Sequence, residues 1–274
     1  MPLAVAALAG LPPQDTARAA VLHVSVISSA VRLDGRPDEP FWAAADSIDD
    51  FRQREPLEGA PASERTVVRA VRDADALYVG GRLYDSDMSA LRATQLRRDG
   101  DLFDNDDEIT VLIDGLRDRR SGFLFGTNPN GAMWDAEITL QDEVNDNWNG
   151  IWAVAVSRDL VAWTVEFRIP FRTLRFQAES AATFGFNVQR SQRRKNEEDL
   201  WQGWRRTQGF FRQQYEGELA GLGRLGRARD VDLRPYALGR AIENDHDLAG
   251  AVAGNGGVDG KVGLDTKVAL TPTP

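Results

Sequence analysis

The sequence contains no cysteine and only two histidines among its 274 residues. Without cysteine, the chain has neither disulfide bonds nor thiolate metal sites. His23 and His246 lie far apart in the sequence, which argues against a histidine-based zinc site or a serine–histidine–aspartate triad. The absence of cysteine fits a cytosolic or a periplasmic protein, so it does not distinguish between these compartments.

Positive charge and long apolar segments are also scarce. There are 33 lysines and arginines against 42 aspartates and glutamates, which gives a net charge of −9. This balance argues against a nucleic-acid partner, whose phosphates require a basic surface. No window contains the 18 or more apolar residues of a transmembrane helix. Hydrophobic residues nevertheless make up 42% of the chain, which is enough for a substantial core.

Residues 1–20 combine a short apolar segment with small residues between Ala17 and Ala20. Such a segment resembles the hydrophobic and cleavage regions of a secretory signal, but the positively charged leader is missing. Two interpretations stay open, the remnant of a signal peptide and a disordered extension. The first predicts a periplasmic or outer-membrane location.

The clearest structural pattern lies in residues 106–138. Ile109, Val111 and Ile113 alternate with more polar residues, which is typical of a β-strand. A polar turn leads into a second strand at residues 122–128, and Asn130-Gly131 favours the next reversal because both residues tolerate positive φ. A third strand follows and carries Trp134. The pattern predicts a three-stranded antiparallel meander.

Similar short alternating segments flank the meander. They predict an all-β fold, a jelly-roll-like antiparallel β-sandwich over residues 21–226 with short helices in the connections. Within it, residues 21–33 are expected to form a first strand. Asp38 is expected to cap a short helix over residues 41–45, with Pro40 in its first turn. The proline-containing segment 51–61 is expected to be a loop. Trp152 and Trp163 occupy inward strand positions and are expected in the core.

Residues 227–274 differ in composition from the sandwich region. Two alternating segments are separated by a stretch rich in glycine, asparagine and aspartate, and two such strands cannot bury a face by themselves. The segment predicts either a linker with the first strands of a truncated outer-membrane barrel or a disordered tail. Under the first interpretation the chain is a fragment of a longer protein.

Five motifs occur in order across residues 30–225. They are Leu33-Asp34-Gly35 through Trp42, Asp75-Ala76-Leu77-Tyr78-Val79, the acidic strand from Asp106 to Asp114, Trp163-Thr164-Val165-Glu166 with Ile169-Pro170-Phe171, and Phe184-Gly185-Phe186-Asn187. Together they resemble family 9 carbohydrate-binding modules, a DOMON-like β-sandwich. Segments 193–198, 204–207 and 233–236 resemble a bacterial subgroup in which the module precedes an uncharacterised outer-membrane β-barrel.

The resemblance implies a non-catalytic carbohydrate-binding module that acts as the periplasmic or surface front end of an outer-membrane protein. The implied partner is a glycan such as xylan, in polysaccharide catabolism, with a C-terminal barrel as a further partner. One alternative is an interaction or plug domain of an outer-membrane transport system without sugar binding. Another is part of a xylanase-type hydrolase system, for which Asp135 and Glu137 are the candidate carboxylates.

The resemblance also implies site residues. In the family, two tryptophans sandwich a terminal sugar. Phe103 stands near the position of the first, and Trp201 or Trp204 near the second. Asp107 matches the acidic residue of the family. The arginine that contacts sugar in the family falls near Gly126, so this contact is missing.

Two further candidates come from the residue pattern itself. Trp134 is a possible aromatic platform, and Asn128 is a possible hydrogen-bonding group. For all six candidates, packing or turn formation is the alternative role. No catalytic residue is assigned.

The acidic run from Asp99 to Glu108 has hard oxygen ligands that calcium prefers, but its spacing does not match an EF-hand. Family 9 modules carry structural calcium, so the resemblance implies calcium without assigning ligands. A solvated acidic loop is the alternative. The basic segment 190–206 predicts either contact with anionic glycans or lipopolysaccharide phosphates, or ion pairs within the protein.

Overall fold

A computed structural model describes residues 20–100, 105–139, 143–177, 183–225, 231–242 and 257–268. The chain divides into two compact units, residues 1–226 and 227–274. Within the described part of the chain, no helix has the length and apolar character needed to cross a membrane.

The described part of the first unit consists of short strands and a single α-helical turn, α1 (Pro40–Ala44). The strands are β1 (Val21–His23), β2 (Ser25–Val26), β3 (Ser47–Ile48), β4 (Arg52–Glu55), β5 (Thr66–Arg72), β6 (Ala76–Tyr84), β7 (Glu108–Asp114), β8 (Gly122–Thr127), β9 (Met133–Thr139), β10 (Glu143–Asn145), β11 (Ala153–Arg158), β12 (Ala162–Pro170), β13 (Thr183–Gln192), β14 (Glu197–Leu200) and β15 (Gly217–Ala220). Four 3₁₀ turns lie in the connections, at Met88–Ala90, Phe171–Thr173, Arg193–Lys195 and Gln213–Tyr215.

The strands form two sheets. A nine-stranded sheet has the order β1-β15-β13-β7-β8-β9-β10, with β14 pairing to both β13 and β4. A six-stranded sheet has the order β11-β12-β6-β5-β2, with β3 pairing to β5. The predicted meander is β7, β8 and β9. Most pairs are antiparallel, but β1 with β15 and β2 with β5 are parallel.

The two sheets pack face to face over one apolar core. Val111 and Phe125 from the nine-stranded sheet meet Val79 and Phe167 from the six-stranded sheet, and all four side chains are buried. Trp152 stacks on Phe167 with ring centroids 5.9 Å apart. Burial of each large apolar side chain contributes roughly 1.5–3 kcal/mol. The predicted all-β sandwich is therefore confirmed, and Trp152 and Trp163 both lie in the core.

Strand β7 is buried on both faces. Ile109, Val111 and Ile113 face the sandwich core. Glu108, Thr110 and Leu112 lie on the opposite, outer face, as the alternation predicts. These outer-face side chains are also buried. The nine-stranded sheet therefore carries a second, smaller cluster on the side that faces away from the core.

Three local predictions were wrong. Residues 21–33 do not form one strand, because the chain changes sheets: the Val24 amide bonds to Ala220 and the Ile27 amide to Arg72. Helix α1 spans Pro40–Ala44 instead of residues 41–45, with Pro40 in its first turn as expected. The residue at its N-cap is Glu39, with no side-chain cap bond, instead of Asp38. The predicted loop 51–61 contains β4, which pairs with β14.

The described part of the second unit consists of two strands, β16 (Val231–Ile242) and β17 (Gly257–Val268). They pair antiparallel over their whole length, from Val231 opposite Val268 to Ile242 opposite Gly257. These segments are the two that the sequence pattern indicated.

Candidate functional site

The outer face of the nine-stranded sheet carries an apolar cluster, called here the outer patch. Its buried members are Leu112, Leu124, Ala132, Trp134, Ala136, Ile138, Leu200 and Phe210, and the half-buried rings of Trp204 and Phe211 pack against them. The strand positions follow from the period of two, because Leu112, Leu124 and Ala136 alternate with core residues and lie on paired strands. The patch brings together Trp134 and Trp204, two of the predicted site residues.

Trp204 lies at the accessible edge of the outer patch, in the segment after β14. The guanidinium carbons of Arg52 and Arg205 lie 5.9 and 5.5 Å from the centroid of its ring. Gly59, with φ of +79°, passes so close that a Cβ would lie 3.0 Å from the indole. Both guanidinium groups lie over the indole as cation–π partners, and Arg52 also donates to the Gly59 carbonyl at 3.0 Å. The arrangement places an aromatic ring beside charged hydrogen-bond donors.

Phe210, Phe211 and Arg52 were not predicted as site residues from the sequence, whereas Arg205 lies in the basic segment 190–206. The adjacent aromatic residues at 210–211, shortly after Trp204, were the available signal. Arg52 had no such signal, because it reaches Trp204 only through the pairing of β4 with β14.

A buried carboxyl group lies on the same outer face. Glu108 accepts hydrogen bonds from the hydroxyls of Ser191 (3.0 Å) and Thr110 (3.1 Å) and from the side-chain amide of Gln189 (3.4 Å). Burial raises the pKa of Glu108 to about 7, and the hydrogen bonds only partly oppose this. The group changes charge near neutral pH.

Two predicted site residues use their polar atoms within the protein. The carboxylate of Asp107 accepts hydrogen bonds from the backbone amides of Arg92 (2.9 Å) and Arg193 (2.7 Å). Burial nevertheless raises the pKa of Asp107. Asn128 is fully buried, and its amide donates to the Gln95 carbonyl while its oxygen accepts from the backbone of the following turn. Both side chains hold the segment before β7 in place.

The two tryptophans after β13 have different surroundings. Trp201 is 2% exposed and packs in the sandwich core, with its ring 6.0 Å from that of Phe186. Trp204 packs on the outer patch instead. Trp134 is 9% exposed beneath that patch. Phe103 lies outside the described residues.

The carboxylates considered for hydrolysis are both paired with arginine. Asp135 is fully buried and accepts hydrogen bonds from Arg98 and from the backbone amide of Gly150 (2.5 Å). Glu137 pairs with Arg175 at 2.5 Å. The carboxylates of Asp135 and Glu137 are thus both bonded to groups within the protein.

The described part of the acidic run is occupied by hydrogen bonds. Asp106 accepts from the amides of Thr94 (2.7 Å) and Gln95 (2.9 Å) and from Asn128. No cluster of three or more histidine, aspartate or glutamate side chains suited to a metal occurs among the residues that the structure describes. Asp101 and Asp104 lie outside them, so structural calcium stays a prediction.

Three of the six basic side chains in segment 190–206 form ion pairs inside the first unit. Arg194 bonds to Asp85 at 2.5 Å, and Lys195 bonds to Glu64 at 2.6 Å. Arg206 bonds to Glu55 at 2.7 Å. Arg190 is buried and donates to Thr66 and to backbone carbonyls. The prediction of internal pairing agrees with these contacts.

The two facing sheets define an all-β sandwich. Residues 33–215 match the family model described as carbohydrate family 9 binding domain-like, and the chain belongs to this family. No curated protein matches the chain.

Solved structures with a similar fold include a "putative carbohydrate-binding protein" from Bacteroides uniformis, with a TM-score of 0.57 and 12% identity over 74% of this chain and 99% of that one. A family 9 module from Caldicellulosiruptor kristjanssonii matches with a TM-score of 0.49 and 15% identity in complexes with glucose and with cellotriose. The glucose complex covers 76% of this chain and 99% of that one, and the cellotriose complex 76% and 95%.

Proposed function

We propose that the first unit binds carbohydrate at the outer patch and does not act on it chemically. The observation that carries this proposal is the half-buried Trp204 ring, with Arg52 and Arg205 within 6 Å of its centroid. Sugars stack their C–H faces on aromatic rings, while polar groups near the ring bond to hydroxyl groups. Membership of the family 9 binding domain-like family supports the same function.

The six predicted residues take different roles in this proposal. Trp204 contacts the sugar directly. A second ring at Phe103 is implied only by the resemblance, because Phe103 lies outside the described residues. Asp107 and Asn128 are positioning residues, because their hydrogen bonds hold residues 92–95 beside the start of β7. Trp134 supports the outer patch from below.

Trp201 has a separate role. It fills the sandwich core beneath the segment that carries Trp204, so its removal alters folding instead of ligand contact.

The direct test is calorimetric titration with glucose, cellotriose and xylotriose. Trp204→Ala is expected to weaken binding about tenfold, since loss of an aromatic contact of ~1.5 kcal/mol has that effect. Tyr84→Ala is the matched control, because Tyr84 is also half-buried and has Arg65 and Arg82 within 5.8 and 5.2 Å of its ring, but lies on the other sheet.

The control variant is expected to bind as the wild type does. Equal affinity of Trp204→Ala and wild type would contradict the proposed site. Absence of heat from wild type across a broad panel of neutral glycans would contradict carbohydrate binding at the outer patch.

We also propose that the module acts in the periplasm or at the surface, as the front end of an outer-membrane protein. The long antiparallel hairpin of β16 and β17 supports this role, since alternating segments of about ten residues are typical of outer-membrane strands. Fractionation of the source cells with an antibody to the first unit tests the location. Recovery in the cytosolic fraction alone would contradict it.

Structural calcium is a separate proposal that rests on the resemblance. Its test is thermal unfolding of the purified chain with calcium or with a chelator. Bound structural calcium raises the midpoint, and identical midpoints would rule out a stabilising calcium ion.

A further inference from the structure

A groove of about 270 Å³ lies on the outer face of the six-stranded sheet, on the opposite side of the sandwich from the outer patch. Leu83 and Val79 of β6 face the core, so Gly80 and Arg82, at the alternate positions, face this groove. Arg69 of the neighbouring strand β5 is directly opposite Gly80. The nearby side chains of Trp42 and Thr164 complete the floor and one wall.

Trp42 and Pro37 pack directly against the backbone of Gly80, which has no side chain. A Cβ at Gly80 would lie 2.9 Å from the ring of Trp42 and 3.0 Å from the Cβ of Pro37. Only glycine lets these two side chains pack against β6. Trp42 is 1% exposed and fixed in a buried cluster, so it supports the groove from below. The half-buried Pro37 ring supplies the accessible apolar side of the groove.

The polar side of the groove has an excess of positive charge. Its arginines outnumber its acidic residues by four to two; the arginines are Arg36, Arg69, Arg82 and Arg158, and the acids are Asp38 and Asp159. Arg82 pairs with Asp159 at 2.6 Å. This local excess occurs in a chain of net charge −9.

The other arginines bond to neutral groups or to nothing in the described part of the chain. Arg36 donates to the Ser157 hydroxyl at 3.2 Å, and Arg158 donates to the Pro129 carbonyl at 2.7 Å. The Nε of Arg69 is buried and has no hydrogen-bond partner among the described residues. The indole N–H of Trp42 is also buried without a hydrogen-bond acceptor among the described residues. Buried donors without acceptors are rare in proteins, because desolvation is then uncompensated.

We propose that this groove binds the carboxylate-bearing ring of an acidic saccharide, such as a uronic acid residue. A guanidinium group offers paired donors to a carboxylate. The adjacent apolar wall suits the face of a sugar ring. The volume is just below the range typical of sites for drug-sized ligands, which favours a single sugar ring. The proposal does not depend on the neutral-sugar site at Trp204.

The test is titration of the full chain, labelled with ¹⁵N, with sodium glucuronate, glucose and sodium acetate at constant ionic strength. The indole resonances of Trp42 and Trp204 report separately on the groove and on the outer patch. We expect glucuronate to shift the Trp42 resonance in a saturable way. Glucose and acetate at the same concentrations are expected to leave it unchanged.

Arg69→Gln is expected to weaken the glucuronate response at Trp42 at least tenfold, while Arg69→Lys keeps the charge and loses less. Arg120→Gln removes an exposed arginine from the turn between β7 and β8, on the other sheet, and is expected to bind as wild type. Thermal unfolding checks that each variant is folded.

Three results would overturn the proposal. The first is an unchanged response in folded Arg69→Gln. The second is an equal response to acetate, which would show a simple anion site. The third is a glucuronate response confined to Trp204. If glucose leaves the Trp204 resonance unchanged while glucuronate still shifts the Trp42 resonance, the proposed neutral-sugar site at the outer patch is refuted and the acidic-saccharide site in the groove is supported.

Discussion

Asn128 and Asp106 are joined by a buried hydrogen bond of 2.6 Å from the side-chain amide of Asn128 to a carboxylate oxygen of Asp106. The bond connects the turn after β8 to the segment that enters β7. Burial opposes ionisation of Asp106, but hydrogen bonds from Gln95, Thr94 and Asn128 outweigh it, and the pKa of Asp106 lies below its ordinary value. The side chain of Asn128 thus fixes Gln95 and Asp106, which lie in the segment before β7.

Replacement of Asn128 by alanine is expected to destabilise the first unit by about 2 kcal/mol, because it leaves buried polar partners without hydrogen bonds. These partners are the Gln95 carbonyl, one bond to Asp106 and two amides of the turn. Urea unfolding measures the change. Asn147→Ala, in an exposed loop, is the control and is expected to change stability little. Equal stabilities of the two variants would contradict the role of Asn128.

The buried carboxyl group of Glu108 is expected to make the stability of the first unit depend on pH. Its pKa rises from 4.5 to about 7 in the folded protein because the group is buried. The folded state therefore binds this proton more tightly than the unfolded state. The resulting stabilisation is present below pH ~4.5 and is lost as the pH rises through about 7.

Glu108→Gln mimics the protonated group, so the variant is expected to lose less stability than wild type between pH 5 and pH 8. The difference is on the order of 3 kcal/mol for a shift of this size. Unfolding by urea at several pH values measures it. Parallel curves for variant and wild type would show that Glu108 does not titrate in this range.

Gly217 tests the packing of Trp201. A Cβ at Gly217 would lie 2.5 Å from the Trp201 ring and 2.8 Å from the Ala20 carbonyl oxygen. The buried ring has little room to move, so Gly217→Ala is expected to cost about 2 kcal/mol of stability by overpacking. Glu218→Ala in the same strand removes a partly exposed ion pair to Arg117 and is expected to cost less than ~1 kcal/mol. Thermal unfolding distinguishes the two.

Phe167 tests the sandwich core. It is fully buried and stacks on Trp152, so Phe167→Ala is expected to destabilise the unit by about 3–5 kcal/mol. Leu160 is 93% exposed in the preceding turn, and Leu160→Ala is expected to stay within ~0.5 kcal/mol of wild type. Denaturant midpoints measure both. A small effect at Phe167 would contradict the packing of the two sheets.

Alternation along single strands was sufficient to predict the sandwich. In β12, Trp163 was expected in the core, and Trp163, Val165 and Phe167 are all fully buried there. A strand has a period of two whatever its partner. The pattern of one face is therefore readable without knowledge of the neighbouring strand.

The surroundings of Trp201 and Trp204 could not be predicted from alternation along a strand. The segment that contains them has no regular period, so their spacing of three residues does not indicate a face. Their positions depend on β14 and β4, which pair across more than 140 residues of sequence. The approach of Gly59 and Arg52 to Trp204 results from that pairing.

The amino-acid order thus determines that the chain is β-rich, that one face of each main strand is apolar and that those faces pack together, because these properties are local. Only the tertiary structure decides that the opposite face of the nine-stranded sheet is also covered. It also decides that Asp107 and Asn128 bond to backbone groups. It decides as well that the Nε of Arg69, opposite Gly80, is buried without a hydrogen-bond partner among the described residues. These properties depend on atoms contributed by segments distant in sequence, and no local pattern encodes which segments meet.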